Sequence, residues 1–528
     1  MKAIPFKVIT NFLIVGAILL MSNACDVQSS KHEKFNYSYD DIEVSEAALE
    51  DHYTEHNTEE YDRIYENSFQ TVMQNPLSTF SIDVDNASYT NLRRFLNHNE
   101  LPPKDAIRIE EMINYFNYDY PQPEGEHPFS FTNEVSNCPW NTEHKLVHIG
   151  IQGKSLDYED LKPSNLVFLV DASGSMSSSN KLPLLKKSFK LLLNELKDAD
   201  RVAIVAYAGA AGLVLPSTKA SEKATIINAL DRIESGGSTA GGEGIELAYK
   251  IAKDHLIENG NNRVVLATDG DFNIGTSSTS ELVRLIEEKR KEDIFLTICG
   301  FGMGNYKDGR MEQISNAGNG NYFYIDNIKE AKKVFSTEMR ANMFTIAKDV
   351  KIQIEFNPNQ VKGYRLIGYE NRVMKDEDFN NDEKDAGELG AGHTVTALYE
   401  IIPANSEEQI ASHDKLKYQK TKTTSASKND EMLTIKFRYK KPKGERSILI
   451  THTISDEGLE LAQASNNFKF SAAVSGFGLL LRDSKFKGNT TYEMIRTLAK
   501  QGQGEDVNGY RQEFINMVET ASLLREKL

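Results

Sequence analysis

Apolar and polar residues follow two different rhythms along this chain, and the change between them divides it. From Lys162 onward, short apolar runs alternate with amphipathic stretches of helical period. The run Leu166 to Val170 is apolar at every position, as a strand is when both faces of a parallel sheet are covered. Similar runs stand at Val202 to Tyr207, Val264 to Thr268 and Phe295 to Gly300, with shorter ones at Leu213 to Leu215 and Tyr322 to Ile325. Between them the 3.6-residue period predicts helices over Leu182 to Leu196, Ser221 to Asp231, Gly244 to Ile257, Thr279 to Lys291, Arg310 to Ala317 and Ile328 to Ala341. Strands that alternate with helices imply a doubly wound α/β domain with a mostly parallel sheet, over residues 162–345.

Period-two alternation marks the flanks. FSIDVD, from Phe80, reads as a half-buried strand, and order is expected to begin near Leu77. Helices over Ala87 to Asn97 and Arg108 to Phe116 and strands over Phe129 to Val135 and Lys145 to Gln152 complete an extension, residues 76–161. Asp83 and Asp85 in it read as outward strand carboxylates rather than a second cation site. After Thr345, the segments VKIQIEF, YRLIGY, TVTALYEIIP, MLTIKFRY and SILITHTI predict a β-rich, sandwich-like module, residues 346–458. The tail, residues 459–528, reads as helical. Its stripe of Tyr510, Phe514, Met517, Val518, Ala521 and Leu524 should dock on the body, because the opposite face is not basic enough for a membrane.

Charge and composition change the picture mainly at the N-terminus. Lys2 and Lys7 precede the apolar run Phe12 to Met21, too short for a permanent membrane span, and this fits a secretory signal over residues 1–24. Cys25 follows Ala24 as in a bacterial lipobox, although Ser22 stands where Leu is usual, and implies a lipid-anchored protein of the cell envelope. Residues 25–75 are so acidic that burial cannot offset their ordering entropy, so they read as a disordered tether. Lys and Arg total 61 against 77 Asp and Glu, a net charge of -16, which argues against nucleic acid as a partner. Cys299 sits in an apolar strand pattern and reads as a buried thiol, not half of a bridge to Cys138.

The candidate chemistry lies at strand ends. Asp171 closes the run Leu166 to Val170, and Ser173 and Ser175 alternate after it, so three oxygens can aim at one point. Oxygen donors without His or Cys suit a hard cation such as Mg²⁺; the competing reading is that a serine caps the following helix. Gly236 to Gly242 form a loop whose glycines let backbone approach closely and whose Thr239 offers a hydroxyl. Asp269 ends the strand Val264 to Thr268, and parallel sheets bind ligands in the crevice outside such ends.

Asp171, Ser173, Ser175, Thr239 and Asp269 together resemble the metal-ion-dependent adhesion site of the von Willebrand factor type A domain, a Rossmann-like fold. The resemblance implies that Ser173 and Ser175 ligate Mg²⁺, with Mn²⁺ or Ca²⁺ as alternatives, and that Thr239 ligates directly or through water. Asp171 and Asp269 then act largely through bound waters, and a partner protein donates a Glu or Asp to the open position. Asp271 reads as a turn former, with a place behind the metal's waters as the alternative. Beyond this domain, STFSIDVDNASYTNLRRFL and IRIEEMINYF before it, and GFGLLLRDSKFKGN after it, resemble a bacterial lipoprotein family built on the same domain, with coverage from about Asn75 to the end.

The remaining motifs are weaker. The acidic stretch Asp376 to Asp385 lacks the glycine and terminal glutamate of a calcium loop and reads as solvated. The sequence contains no HExxH, Walker lysine loop, CxxC pair or GxSxG elbow. The expected function is therefore Mg²⁺-dependent capture of a protein partner at the envelope, without catalysis. The alternatives are a metal-dependent hydrolase or enzyme accessory subunit, and a structural protein whose metal only stabilises the fold.

Overall fold

Six strands form the sheet of the central domain, in spatial order Tyr322–Ile325, Ile294–Phe301, Asn261–Thr268, Ser164–Asp171, Arg201–Tyr207 and Ala211–Lys219. All neighbours are parallel except the last pair, in which Ala211–Lys219 runs antiparallel at the edge. The computed structural model describes residues 59–82, 85–237, 241–270, 279–304, 307–384, 386–411, 418 and 423–526. Leu166, Phe168 and Val170 point into a core on one face of this sheet, with Leu185, Phe189 and Leu192 of the helix Leu182–Glu195. Val167 and Leu169 point into the core on the other face, with Ile245, Ala248 and Tyr249 of the helix Gly241–Asp254. Burial on both faces is why the strand is apolar at every position.

Ser164–Asp171 is flanked by Arg201–Tyr207 on one side and Asn261–Thr268 on the other. The chain therefore winds outward in opposite directions from this strand, and a crevice opens at its C-terminal end. Asp171 and Asp269 both stand there.

The segments before and after the central domain share sheets with each other. Leu77–Ser81 pairs antiparallel with Thr345–Phe356, and Asn141–Gly153 pairs antiparallel with Thr394–Pro403. One sheet runs Gln70–Thr71, Val361–Ile367, Thr394–Pro403, Asn141–Gly153, Phe129–Cys138; the other runs Gly387–Gly390, Thr345–Phe356, Glu431–Lys440, Ile448–Ser455. Val147, Ile149, Ile352, Ile354, Tyr399 and Phe437 fill the space between them. The other face of the first sheet, through Leu146 and Leu398, packs on the helices Ala87–Asn97, Ile109–Asn114, Asn466–Arg482, Tyr492–Gln501 and Tyr510–Glu526. The tail does dock on the body: Phe514, Met517, Val518 and Ala521 are buried in that layer, and Tyr510 and Leu524 pack against it.

Order begins earlier than the alternation at FSIDVD implies. Asn67 donates to the carbonyl of Gly368, Gln70 and Thr71 add a short strand, and the Glu59 carboxylate takes Arg94 at 2.7 Å and the Gly304 N–H at 2.9 Å. Specific partners offset the ordering cost that the acidic composition alone does not. Asp85 is not an outward carboxylate: it is buried, accepts the Tyr322 N–H at 2.9 Å and pairs with Arg372 at 3.3 Å, while Asp83 lies outside the described residues. The helix expected over Ile328 to Ala341 is interrupted by a π-turn, Lys333–Thr337. Lys333 is buried and bonds Glu338, five residues on, at 2.6 Å, and the wider turn is what brings that pair together. In the acidic stretch, the Lys351 ammonium takes the carbonyl oxygens of Asp378 and Asn381, so a lysine of this chain serves those acceptors. Cys138 and Cys299 are both free, buried thiols. Among the described residues no helix is long and apolar enough to cross a membrane.

Buried arginines join the central domain to the layers around it. Arg93, on Ala87–Asn97, bonds Asp326 and Glu330 of the central domain and Glu513 of the last helix. Replacing it with methionine removes the cationic partner of two buried carboxylates, so Arg93→Met should lower unfolding free energy by about 3–5 kcal/mol, read by urea denaturation. A second test concerns pH. Burial opposes the charge of His144, but its hydrogen bonds to Glu400 and Glu408, both 2.7 Å, outweigh that and raise its pKa. A raised histidine pKa stabilises fully below the unfolded value of about 6.5, and the gain is lost as pH rises through the folded value. The melting-temperature gap between the natural chain and His144→Gln should be wider at pH 5.5 than at pH 9, and an equal gap would refute the assignment.

Candidate metal centre

The site is built around a carboxylate with no access to water. Asp171 is 0% exposed, and each of its oxygens is taken by donors of this chain. Its Oδ1 accepts the Ser173 N–H at 2.9 Å; its Oδ2 accepts the Thr268 hydroxyl at 3.0 Å and the Tyr207 hydroxyl at 3.2 Å. Those donors come from the strand's own loop and from the two strands beside it, so Asp171 ties three strand ends together. Burial raises its pKa, the Ser173 and Thr268 hydrogen bonds lower it, and the charge of Asp269 adds to the rise.

The backbone brings the loops close. The Gly174 N–H donates to the Gly237 carbonyl at 3.1 Å, and the Gly236 N–H donates to the Ala172 carbonyl at 2.8 Å. Gly237 has φ of +79°, where a side chain is strained, which accounts for glycine at that point. A Cβ on Gly244 would meet Tyr207 and Leu169 at 3.1–3.2 Å, so glycine lets that helix lie tightly on the strands carrying the site.

The cap-or-ligand alternative resolves against a cap. Ser173 precedes a short 3₁₀ turn, Gly174–Ser177, and its side chain makes no capping bond. Its Oγ lies instead 3.0 Å from Ser175 Oγ. Octahedral Mg²⁺ holds oxygens at about 2.0–2.1 Å, which places adjacent ligands about 2.9 Å apart, so the hydroxyl pair already matches one edge of such a shell. Ser173 is buried and Ser175 exposed, so the edge faces outward. The donor chemistry fits a hard cation. Among the described residues there is no cluster of three or more His, Cys, Asp or Glu side chains around a point.

Of the residues expected at the site, Asp171, Ser173, Ser175 and Asp269 are described and lie at the same end of the sheet. Thr239 and Asp271, like Cys25, lie outside the described residues. Three contributors escape a reading by motif. Thr268 and Tyr207 hold Asp171, and Lys181 places its ammonium 3.0 Å from Asp269 Oδ2 in a buried pair. Thr268 adjoins Asp269 at a strand end, which is a usable signal. Lys181 and Tyr207 have none, since a lysine before a helix and a tyrosine closing a strand read as ordinary residues.

Three family models match: "von Willebrand factor" over residues 55–148, "von Willebrand factor type A domain" over 165–337 and "Uncharacterized protein YfbK, C-terminal" over 341–524. The chain is 43% identical over 478 residues to "Uncharacterized protein YfbK" of Escherichia coli (strain K12), covering 89% of this chain and 82% of that protein. It is 27% identical over 195 residues to "Uncharacterized protein sll0103" of Synechocystis, covering 37% of this chain and 45% of that one. Among solved structures, a von Willebrand factor type A protein from Catenulispora acidiphila is similar with 16% identity and a TM-score of 0.40, over 75% of this chain and 92% of that one.

The donors around Asp171 supply a direct test. Thr268→Val keeps the shape of the side chain and removes one hydroxyl from a buried carboxylate. Its expected cost is about 1–3 kcal/mol of unfolding free energy by urea denaturation in EDTA. A neutral result would mean that Tyr207 and the Ser173 N–H satisfy Asp171 alone.

Proposed function

This chain belongs to the bacterial family of von Willebrand factor type A proteins that includes Escherichia coli YfbK, and from that premise we propose that it binds a protein partner through a divalent cation at the Asp171 site. Domains of this type support protein–protein interaction. The finer reading, an Mg²⁺-dependent module that captures an acidic residue of its partner, rests on one observation: the hydroxyl pair Ser173 and Ser175 stands at the spacing of two adjacent ligands and faces outward.

The protein's own residues divide the work. Ser173 and Ser175 would hold the cation through neutral oxygens, with Thr239 as a third hydroxyl. Asp171 is committed to Ser173, Thr268 and Tyr207, which fixes the loop that carries both serines. Because neutral hydroxyls do not cancel its charge, a bound divalent cation supplies a point that attracts a carboxylate oxygen. Asp171 and Asp269 both have partners within the chain, so the fold does not depend on an ion to satisfy them. This favours a metal used for binding over one that only stabilises the structure. The proposal assigns the site no turnover. It includes a lipid anchor at Cys25 and an envelope location, with the acidic N-terminal segment as the tether.

Mg²⁺ should raise the melting temperature of the natural chain relative to EDTA, and Asp171→Ala should abolish that increment. Partners cross-linked to the chain in native envelopes and identified by mass spectrometry should be lost both in EDTA and with Asp171→Ala. Partners that persist in Asp171→Ala while its stability falls would favour the structural alternative. Mg²⁺-dependent turnover of a phosphoester or peptide would favour the enzyme.

A further inference from the structure

Lys181 is a buried cation placed beside the proposed cation site, and the sheet is shaped to keep it there. Its ammonium lies 3.0 Å from Asp269 Oδ2, with the lysine side chain 8% and the aspartate 0% exposed. Its backbone carbonyl accepts the Leu185 N–H at 2.8 Å in the first turn of the helix Leu182–Glu195, which fixes where the side chain starts. The aliphatic stem runs over Gly302, just past the strand Ile294–Phe301. A Cβ on Gly302 would overlap the stem, 2.3 Å from Cε and 2.6 Å from Cγ, and Gly302 has φ of +78°. Glycine thus leaves a groove along which the stem carries the ammonium to Asp269.

Resting on the metal reading above, we propose that Lys181 sets the charge of the metal centre, weakening its hold on the cation so that the bound ion keeps positive charge for a partner's carboxylate. Asp171 and Asp269 alone would give the site a charge of -2, cancelling a divalent ion; with the Lys181 ammonium the protein side is -1 and the loaded centre +1. The ammonium also occupies Asp269 Oδ2, so that oxygen is engaged by nitrogen before any ion arrives. A unit charge about 6 Å from a dication changes its affinity about tenfold at the dielectric constant of water, and by more in a drier site. The site is thereby tuned toward exchange and capture rather than permanent retention.

Calorimetric titration of Mg²⁺ into the metal-stripped full chain in detergent tests this. Lys181→Met, which keeps the stem in the Gly302 groove, and Lys181→Gln, which keeps a hydrogen-bond donor, should each bind Mg²⁺ at least about tenfold tighter than the natural chain. Lys181→Arg, still charged, should stay within about twofold of it. Circular dichroism in EDTA reports whether each variant folds. Unchanged or weaker Mg²⁺ binding in the folded neutral variants overturns the proposal, and so does failure of both to fold, which would make the lysine structural. A natural chain that takes up no Mg²⁺ overturns the metal reading itself, a different result from an unresponsive Lys181.

Discussion

A carboxylate buried without water must be satisfied by the protein, and Asp171 imposes that condition at the centre of the sheet. The transfer cost of an unpaired buried charge is large enough that the surrounding strands have to supply donors. Ser173, Thr268 and Tyr207 do so from the strand's own loop and from the neighbours on either side. One side chain therefore ties the strand ends together. The same constraint positions the two serines, because the loop whose N–H bonds Asp171 is the loop that bears their hydroxyls. Buried order beneath and hydroxyls facing outward come from a single interaction.

The layers outside the central domain follow a second constraint, that an open sheet edge or apolar face must find cover. Thr345–Phe356 leaves the central domain and pairs with both Leu77–Ser81, from before it, and Glu431–Lys440, from after it. The central domain is thus inserted between strands that belong together. Arg93, Arg108 and Arg372 carry the contact between the two parts, each bonding carboxylates contributed from more than one segment. These pairs are buried or partly buried, where removing one partner costs more than the pair itself contributes. Lys333 and Glu338 extend the pattern to the end of the inserted domain, where a π-turn brings the pair together.

At the site itself, the motif reading and the structure meet in Ser173. A serine after a strand and before a helix is an ordinary cap, and the sequence alone left that alternative standing. The observed hydroxyl points across the loop to Ser175, and no capping bond forms. The charge of the site was less legible. The motif names the anions, but the cation that balances Asp269 comes from Lys181, ten residues after Asp171 and beyond any spacing rule.

Elements whose cause is local are legible in the order of the residues. A strand covered on both faces is apolar throughout, a docked helix carries a 3.6-residue stripe, and a loop that needs close backbone approach contains glycine. The parallel strands, the tail stripe and the loop that carries Asp171, Ser173 and Ser175 are readable for that reason. The pairing of strands across hundreds of residues, the partners that hold Glu59, the burial of Asp85 against Arg372 and the meeting of Lys181 with Asp269 came only with the folded chain. Such contacts leave no periodic trace, because they depend on where the backbone returns in space and on buried charges finding one another there.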